Sequence, residues 1–210
     1  MTEEKKPAEF LIDQTVRQRL LASAARLIAR KGYASTTVRE IVEAAGVTKP
    51  VLYYYFPNKE GIYLEMMRGA WGRFDALLEG TRKEFGGVKD RVLRLADQVF
   101  GQFLSQIEVA RVGYSIYYGP PQGAPFFDFD AFHAKFHEVI EGLVREGIRR
   151  KEFRKGNALD MTWAIIGAVH VAVEVQLWHP ETGLGRKGLA RVLELIFEGI
   201  SGQESKKKGD

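Results

Sequence analysis

Residues 36–59 place the strongest constraint on how this chain folds, because they have the pattern of two short helices joined by a tight turn. Thr37 and Glu40 have the spacing of a capping box, in which both side chains bind free amide groups at a helix start. Four apolar residues then recur with helical periodicity and predict one buried face: Val38, Ile41, Val42 and Ala45. Gly46 follows, where a helix end favours a residue that tolerates positive φ.

The second helix of this segment is too short to be stable alone in water, so it must dock one face on its neighbours. Thr48 is its expected N-cap, and Pro50 lies in its first turn, where a missing N–H costs nothing. The docking side carries three residues: Val51, Leu52 and Tyr55. Pro50, Tyr53 and Tyr54 occupy the opposite side, with Lys49 at its flank. Two helices in this order predict a helix-turn-helix, whose second helix enters the DNA major groove.

The same segment resembles the DNA-binding domain of the TetR family of transcriptional regulators over about residues 13–65. The matching residues are Gly32-Tyr33, Thr36-Thr37-Val38-Arg39-Glu40-Ile41, Ala45-Gly46-Val47-Thr48-Lys49, Leu52-Tyr53-Tyr54-Tyr55-Phe56 and Asn58-Lys59-Glu60. One departure is a tyrosine where family members often carry histidine. The resemblance implies a three-helix DNA-binding domain. Together with the helical pattern of the rest of the chain, it predicts an all-α fold of about nine helices, with a C-terminal helical domain for ligand binding and dimerisation.

The resemblance also implies roles for individual side chains at the DNA. Four would contact phosphates, which set the register on the duplex: Thr37, Tyr53, Tyr54 and Lys59. Thr48, Lys49 and Pro50 would lie nearest the base edges, where sequence is read. Arg39 points outward from the preceding helix, and either a phosphate contact or simple solvation fits its position.

Composition limits the classes of protein that remain. The 210 residues are 45% hydrophobic and 11% aromatic, which supports a filled core. The absence of cysteine excludes disulfide frameworks, zinc fingers and cysteine nucleophiles. The first twelve residues lack the apolar run of a signal peptide, and the uncharged stretch 161–173 is too short to span a bilayer, so a cytoplasmic protein without a membrane partner is expected. The net charge of +4 only weakly supports nucleic-acid binding.

The helical pattern continues to the C-terminal end and predicts four segments. These are a flexible arm (1–12), the helix-turn-helix domain (13–58), a regulatory domain for ligand binding and dimerisation (59–202), and a flexible tail (203–210). The first helix is expected from Asp13 to Lys31. The other predicted helices span 59–85, 88–106, 107–118, about 128–152, 158–178 and 186–200. The run Gly119 to Pro125 is the clearest loop.

The last two helices are the predicted dimer surface. The helix over 158–178 is apolar almost all round and therefore needs cover on both sides. Together with the resemblance, this favours an intermolecular four-helix bundle over burial within one chain. The residues predicted to form it are Trp163, Gly167, Val171, Leu189, Val192, Leu193, Ile196, Phe197 and Ile200.

Aromatic and polar residues in the middle of the chain predict a cavity for an apolar or aromatic effector, which the resemblance also implies. Its predicted lining is Phe103, Tyr114, Tyr117, Tyr118, Phe132, His133, Phe136, Trp163, His170 and Glu174. His133 and His137 have the i, i+4 spacing of a metal clamp, but such pairs are mostly structural, and neither a metal nor a cofactor is predicted.

No arrangement of residues predicts catalysis, so an enzyme is not expected. The favoured interpretation is a homodimeric repressor that binds a palindromic double-stranded DNA operator and is released by a small molecule. Ligand would favour a state in which the helix from Lys59 onward holds the two recognition helices at the wrong separation. There are two alternatives. One is a DNA-binding protein controlled by a protein partner, and the other is an enzyme that keeps the helix-turn-helix as a structural head.

Overall fold

The computed structural model describes residues 7–200, with side chains from Thr15, and this part of the chain contains nine α-helices and no β-strand. The helices are α1 (Pro7–Lys31), α2 (Val38–Ala45), α3 (Lys49–Tyr55), α4 (Lys59–Lys83), α5 (Val88–Ser105), α6 (Ile107–Tyr118), α7 (Phe129–Arg149), α8 (Ala158–Trp178) and α9 (Gly185–Ile200). The predicted all-α fold is confirmed.

Most helix ends lie close to their predicted positions, and the first helix differs most. The described part of α1 already starts at Pro7, ahead of the predicted Asp13. Residues 7–12 of the predicted arm are therefore helical, while residues 1–6 and the predicted tail lie outside the described residues. α7 ends at Arg149, before the predicted 152, because Lys151 adopts a positive φ of 63°.

The first of two compact units comprises the described residues up to Trp71 together with Gln106–Phe127. α1 packs against α2 and α6, and α2 packs against α3. Apolar side chains with at most 3% exposure form its core: Leu20, Ile28, Ile41, Leu52, Phe56 and Ile62. α6 was assigned by sequence to the regulatory domain, yet it clusters with the helix-turn-helix. The functional boundaries at 58 and 202 stay predictions.

The second compact unit comprises Gly72–Ser105 and the described residues from Asp128 onward. Within it α7 packs on α8, α8 on α9, and α5 on α7, α8 and α9. Its core includes Val92, Leu95, Ile140, Ile165 and Leu193, each at most 1% exposed. This unit is a bundle in which every helix has at least one partner.

α8 is the one helix of the described chain that is long and apolar enough to cross a membrane, judged by length and composition. The uncharged stretch 161–173 did not indicate this, because the helix continues past Glu174 to Trp178. Buried helices in proteins without membrane segments have the same composition, so this property alone does not favour a membrane location.

Candidate nucleic-acid interface

α2 is closed at both ends by hydrogen bonds from its own sequence. The Thr37 hydroxyl accepts from the Glu40 amide (3.3 Å), and the Glu40 carboxylate accepts from the Thr37 amide (2.9 Å), which confirms the capping box. Gly46 ends the helix in the left-handed region at φ 64°, and its N–H donates to the carbonyl of Glu43. Only glycine adopts this conformation without strain, so the turn into α3 is tight.

The start of α2 also carries a charge-assisted contact. The Lys31 ammonium donates a hydrogen bond to the Glu40 carboxylate. This bond, followed by those from Thr37, lowers the pKa of Glu40 to about 2. The carboxylate therefore stays ionised and holds the first turn of α2 together across the neutral range.

α3 has the predicted docking side but a different N-terminus. Leu52 is fully buried, and Val51 and Tyr55 are half-buried. Thr48 occupies the N-cap position with φ −98° and ψ 162°, but among the described contacts its side chain makes no capping hydrogen bond. The predicted position of Thr48 is correct, and the expected side-chain cap is wrong.

The opposite side of α3 is exposed. Tyr53 and Tyr54 have 53% and 66% of their area open to solvent, and Thr48, Lys49 and Pro50 are exposed as well. One short surface thus presents a cation, a hydroxyl, a pyrrolidine ring and two phenols. These groups suit guanine acceptors, thymine methyls and phosphate oxygens.

Three other residues predicted to contact DNA have partners within the chain. Thr37 is exposed, but its hydroxyl also donates to the Glu40 carboxylate (2.8 Å). Arg39 is exposed and pairs with Glu43 over 2.8 Å, a hydrogen bond that raises the pKa of the guanidinium. Their contacts with DNA stay predictions.

Lys59 is the third of these residues, and it is held more firmly. Its ammonium donates to the backbone carbonyls of Tyr33 (2.8 Å) and Thr36 (2.9 Å), and lies 4.1 Å from the centre of the Tyr33 ring. Burial, and then the nearby charge of Lys31, lowers the pKa of Lys59. The lysine ties the start of α4 to the turn between α1 and α2, and its predicted phosphate contact remains a prediction.

Sequence reasoning missed the contribution of Gln122 to this region. Its amide oxygen accepts from the Tyr33 amide (2.9 Å), although 89 residues separate the two. The sequence marked residues 119–125 only as a loop, and no local pattern indicated where its side chains dock.

The predicted effector residues fall into both compact units. Tyr114, Tyr117 and Tyr118 lie on α6 in the first unit, where Tyr118 contacts the other two rings at 5.5 and 4.6 Å. The other predicted residues lie in the second unit: Phe103, Phe132, His133, Phe136, Trp163, His170 and Glu174. The structure therefore groups these residues in two sets.

The second unit brings four of its predicted residues into one aromatic cluster around Phe74. Phe132 stacks on Phe74 at 4.0 Å, and the buried Phe136 meets the same ring edge-on at 5.6 Å. His133 lies 5.8 Å from His170, and burial lowers the pKa of both imidazoles. The neutral imidazoles supply polar groups beside an apolar surface. Trp163 instead contacts His137 (5.2 Å) and is 59% exposed, while Glu174 is exposed.

The pair His133 and His137 diverges, since His133 faces His170 whereas His137 lies beside Trp163 and 3.7 Å from Glu141. Between residues 15 and 200, no three His, Cys, Asp or Glu side chains are grouped to hold a metal ion. A cavity of about 490 Å³ elsewhere in the second unit is lined mainly by arginine and glutamate, including Arg82 and Glu138. Its charged lining does not suit an apolar effector.

The dimer residues predicted on α8 and α9 differ in exposure. Trp163 and Val171 are 59% and 57% exposed, and Gly167, Val192 and Ile196 are partly exposed. The other four are at most 8% exposed within the single chain: Leu189, Leu193, Phe197 and Ile200. These four residues pack on the chain's own core, whereas the other five are the exposed part of the predicted surface. The dimer surface itself stays a prediction.

Comparison with known proteins identifies the helix-turn-helix region. Residues 20–66 match the family model described as bacterial regulatory proteins, tetR family. The HTH-type transcriptional regulator YdgC of Bacillus subtilis (strain 168) is 36% identical over 103 residues, which are 47% of this chain and 52% of YdgC. The chain thus spans about half the length of this curated relative.

Longer matches extend over most of the chain at lower identity. The HTH-type transcriptional repressor KstR2 of Rhodococcus jostii (strain RHA1) is 26% identical over 190 residues, covering 88% of this chain and 91% of KstR2. The structure of the ketosteroid transcriptional regulator KstR2 of Mycobacterium tuberculosis superposes with a TM-score of 0.72 at 20% identity, covering 89% and 95% of the two chains. The fold and the helix-turn-helix agree, and the chain belongs to the TetR family of transcriptional regulators.

Proposed function

We propose that this protein is a cytoplasmic, non-enzymatic repressor that binds a palindromic DNA operator as a homodimer and is released by a small apolar or aromatic molecule. The observation that most supports this proposal is the exposed side of α3, which can contact DNA while the fully buried Leu52 fixes the opposite side. A relative similar over most of the chain is named as a transcriptional repressor, which supports this direction of control.

The proposed DNA contacts divide by chemistry. Lys49 donates to guanine acceptors, the Pro50 ring packs on a thymine methyl, and Thr48 lies beside the same base edges. Phosphate contacts come from Tyr53 and Tyr54, and from three residues at the starts of α2 and α4: Thr37, Arg39 and Lys59. Positively charged contacts of this kind make binding salt-dependent.

Fluorescence anisotropy on duplexes tiled upstream of the protein's own gene tests this proposal. The wild-type chain should bind one tile tightly, with an affinity that falls as salt rises. Tyr53→Ala should weaken binding to that tile roughly tenfold, by loss of a central contact. Phe85→Ala removes an aromatic side chain that is 96% exposed and lies outside the helix-turn-helix, and should bind normally. Equal, weak binding to every tile by all three proteins would contradict the operator.

The proposed dimer forms through the exposed stripe of α8 and the adjoining side of α9, and a two-fold dimer matches a palindrome. Its two α3 helices would enter successive major grooves about 34–36 Å apart. Val171→Asp should give monomers in light scattering after gel filtration. Phe126→Asp changes an apolar residue that is 86% exposed outside α8 and α9, and should leave the dimer intact. If Val171→Asp remained a dimer, the interface would have to lie elsewhere on the protein.

The proposed effector site is the aromatic cluster of the second unit, where Phe132 and Phe136 offer apolar contact and His133 and His170 offer polar groups. The structural neighbour KstR2 of Mycobacterium tuberculosis is a ketosteroid transcriptional regulator, and ketosteroids are apolar, ring-containing molecules. α4 contains residues of both units, so a ligand that favours one state of the second unit can shift the population of DNA-binding states through it.

A ketosteroid is a suitable first probe. A binding probe should raise the melting temperature and lower operator anisotropy, and Phe132→Ala should reduce both effects. Operator binding that no small molecule changes would favour the alternative, control by a protein partner.

A further inference from the structure

Beyond the proposed DNA contacts, the loop after α6 reaches the helix-turn-helix through the side chain of Gln122. The Gln122 amide oxygen accepts from the backbone N–H of Tyr33 (2.9 Å), in the turn between α1 and α2. The amide nitrogen of Gln122 donates to the Ser115 hydroxyl (2.9 Å) and carbonyl (3.3 Å) on α6. One glutamine thus bonds to α6 with one end and to the turn with the other.

The fit around this contact is close. Gly32 adopts φ +86°, and a Cβ at this position would lie 2.7 Å from the Gln122 amide oxygen. A larger residue would therefore push the glutamine out of place. The loop also contains Pro120, Pro121 and Pro125, which restrict its backbone and lower the entropy that docking costs.

The turn that Gln122 holds is connected by hydrogen bonds to both flanking helices of the DNA-reading surface. The Tyr33 carbonyl, at the other side of the same residue, accepts from Lys59 at the start of α4. Lys59 also binds the carbonyl of Thr36, which is 1% exposed and immediately precedes the N-cap of α2. A shift of the turn therefore changes the positions of α2 and α4 together.

The division into compact units also places α6 and its loop with the helix-turn-helix. Both belong to the unit that contains α1 to α3, and α6 packs directly on α1. We propose that Gln122 is a positioning residue for the DNA-binding surface, and that it couples α6 and the loop over 119–125 to the turn between α1 and α2. This inference rests on the proposed DNA-binding function and adds the route by which movement of α6 changes it.

The test compares Gln122→Leu, which keeps similar bulk but removes both hydrogen-bonding ends, with Gln98→Leu, the same change at an exposed position of α5. Hydrogen exchange of the free protein is followed by mass spectrometry, and operator affinity by anisotropy. Gln122→Leu should exchange faster in peptides over 33–47 as well as in the loop. Its operator affinity should fall roughly fivefold, as expected for the loss of one net hydrogen bond. Gln98→Leu should match the wild type in both measurements.

A conservative variant separates positioning from bulk stability. Gln122→Glu keeps an acceptor for the Tyr33 amide and should restore most of the operator affinity, although it cannot donate to the Ser115 carbonyl. Should Gln122→Leu fail to fold by circular dichroism, Ser115→Ala removes one partner of the loop and should give a smaller change in the same direction.

A change in exchange confined to residues 119–125 and Tyr33, with unchanged operator affinity, would overturn the inference. Failure of the wild-type chain to bind any operator would instead overturn the proposed function. The two failures are distinguishable, because the exchange experiment contains no DNA and decides by itself whether the turn depends on Gln122.

Discussion

α2 and α3 have eight and seven residues and meet at one turn, but they differ in the hydrogen bonds that close their ends. α2 closes both ends with contacts of its own, the Thr37–Glu40 capping box and the left-handed Gly46. The N-cap of α3, Thr48, makes no side-chain capping bond among the described contacts. α2 is thus stabilised by its capped ends as well as by its buried side, whereas α3 depends on docking of its apolar side. This difference leaves the outer groups of α3 for another molecule.

The largest effect is expected from truncating a feature that both helices share, a fully buried apolar side chain. Leu52→Ala in α3 and Ile41→Ala in α2 each truncate a side chain of 0% exposure. Each should lower the free energy of unfolding by about 3 kcal/mol, through lost burial and a cavity. Urea unfolding, followed by circular dichroism, measures this free energy. Val51→Ala, at a half-buried position, should lower the free energy of unfolding by less. A Leu52 effect below about 1 kcal/mol would show that docking does not hold α3.

Removing one cation from each helix tests the division of roles at the DNA. Lys49→Ala should weaken operator binding roughly tenfold, the loss expected for one good base contact. Arg39→Ala removes the same charge from α2, but its guanidinium already pairs with Glu43, so a smaller loss of affinity is expected. Anisotropy on one operator duplex compares them. Equal losses would assign α2 an equal share of the DNA surface.

Two glycine substitutions test whether the turn depends on its backbone conformation. Gly46→Ala places a side chain at φ 64° and should lower stability by about 1–2 kcal/mol. Gly72→Ala, at an exposed helical position of α4 with open space around its Cβ, should instead raise stability by up to about 1 kcal/mol. Thermal unfolding of the two variants should shift in opposite directions. A stabilised Gly46→Ala variant would contradict the tight turn.

The two N-cap threonines offer the most direct comparison. Thr37→Ala removes a hydroxyl that accepts from the Glu40 amide and should cost about 1 kcal/mol of stability. Thr48→Ala removes a hydroxyl with no such bond, so its cost should be only a few tenths of a kcal/mol. Chemical denaturation can resolve this gap. Equal costs would mean that α3 is capped in solution as α2 is.

The smallest effect concerns pH and belongs to α2 alone. The pKa of Glu40 is lowered to about 2 from its ordinary value of 4.5, so the contribution of its carboxylate to stability is complete above pH 4.5 and is lost as pH falls through 2. Glu40→Gln should therefore be less stable than the wild type at pH 7, and this difference should shrink below pH 4.5 and disappear below pH 2. Lys31→Met removes the hydrogen bond that lowers the pKa of Glu40 most, so this pKa should rise in an NMR titration. An unchanged pKa would show that Lys31 does not lower it.

The parts of the site that could be predicted are those encoded over a few residues. The capping box and the Gly46 turn depend on neighbours three or four residues apart, and both are confirmed. The bonds of Lys59 to Tyr33 and Thr36, and of Gln122 to Tyr33, join positions 23 to 89 residues apart. Periodicity says nothing about such pairs.

The fold shows the same limit at a larger scale. Helical spacing placed α5 to α9 close to their observed bounds and confirmed the all-α class. It could not tell which apolar residues of α9 face the chain's own core, so Leu193 and Phe197 were predicted at a dimer surface although both are buried. Nor could it tell that α6 clusters with the helix-turn-helix.

The exposed indole of Trp163 has an optical consequence. Two of the chain's three tryptophans, Trp163 and Trp178, lie on α8 with 59% and 44% of their area in water. An indole that leaves water emits at shorter wavelength, so association through α8 would shift the protein's own fluorescence towards the blue. Mass action makes that shift depend on protein concentration. Simple dilution would therefore reveal, without any label, how tightly two copies hold each other.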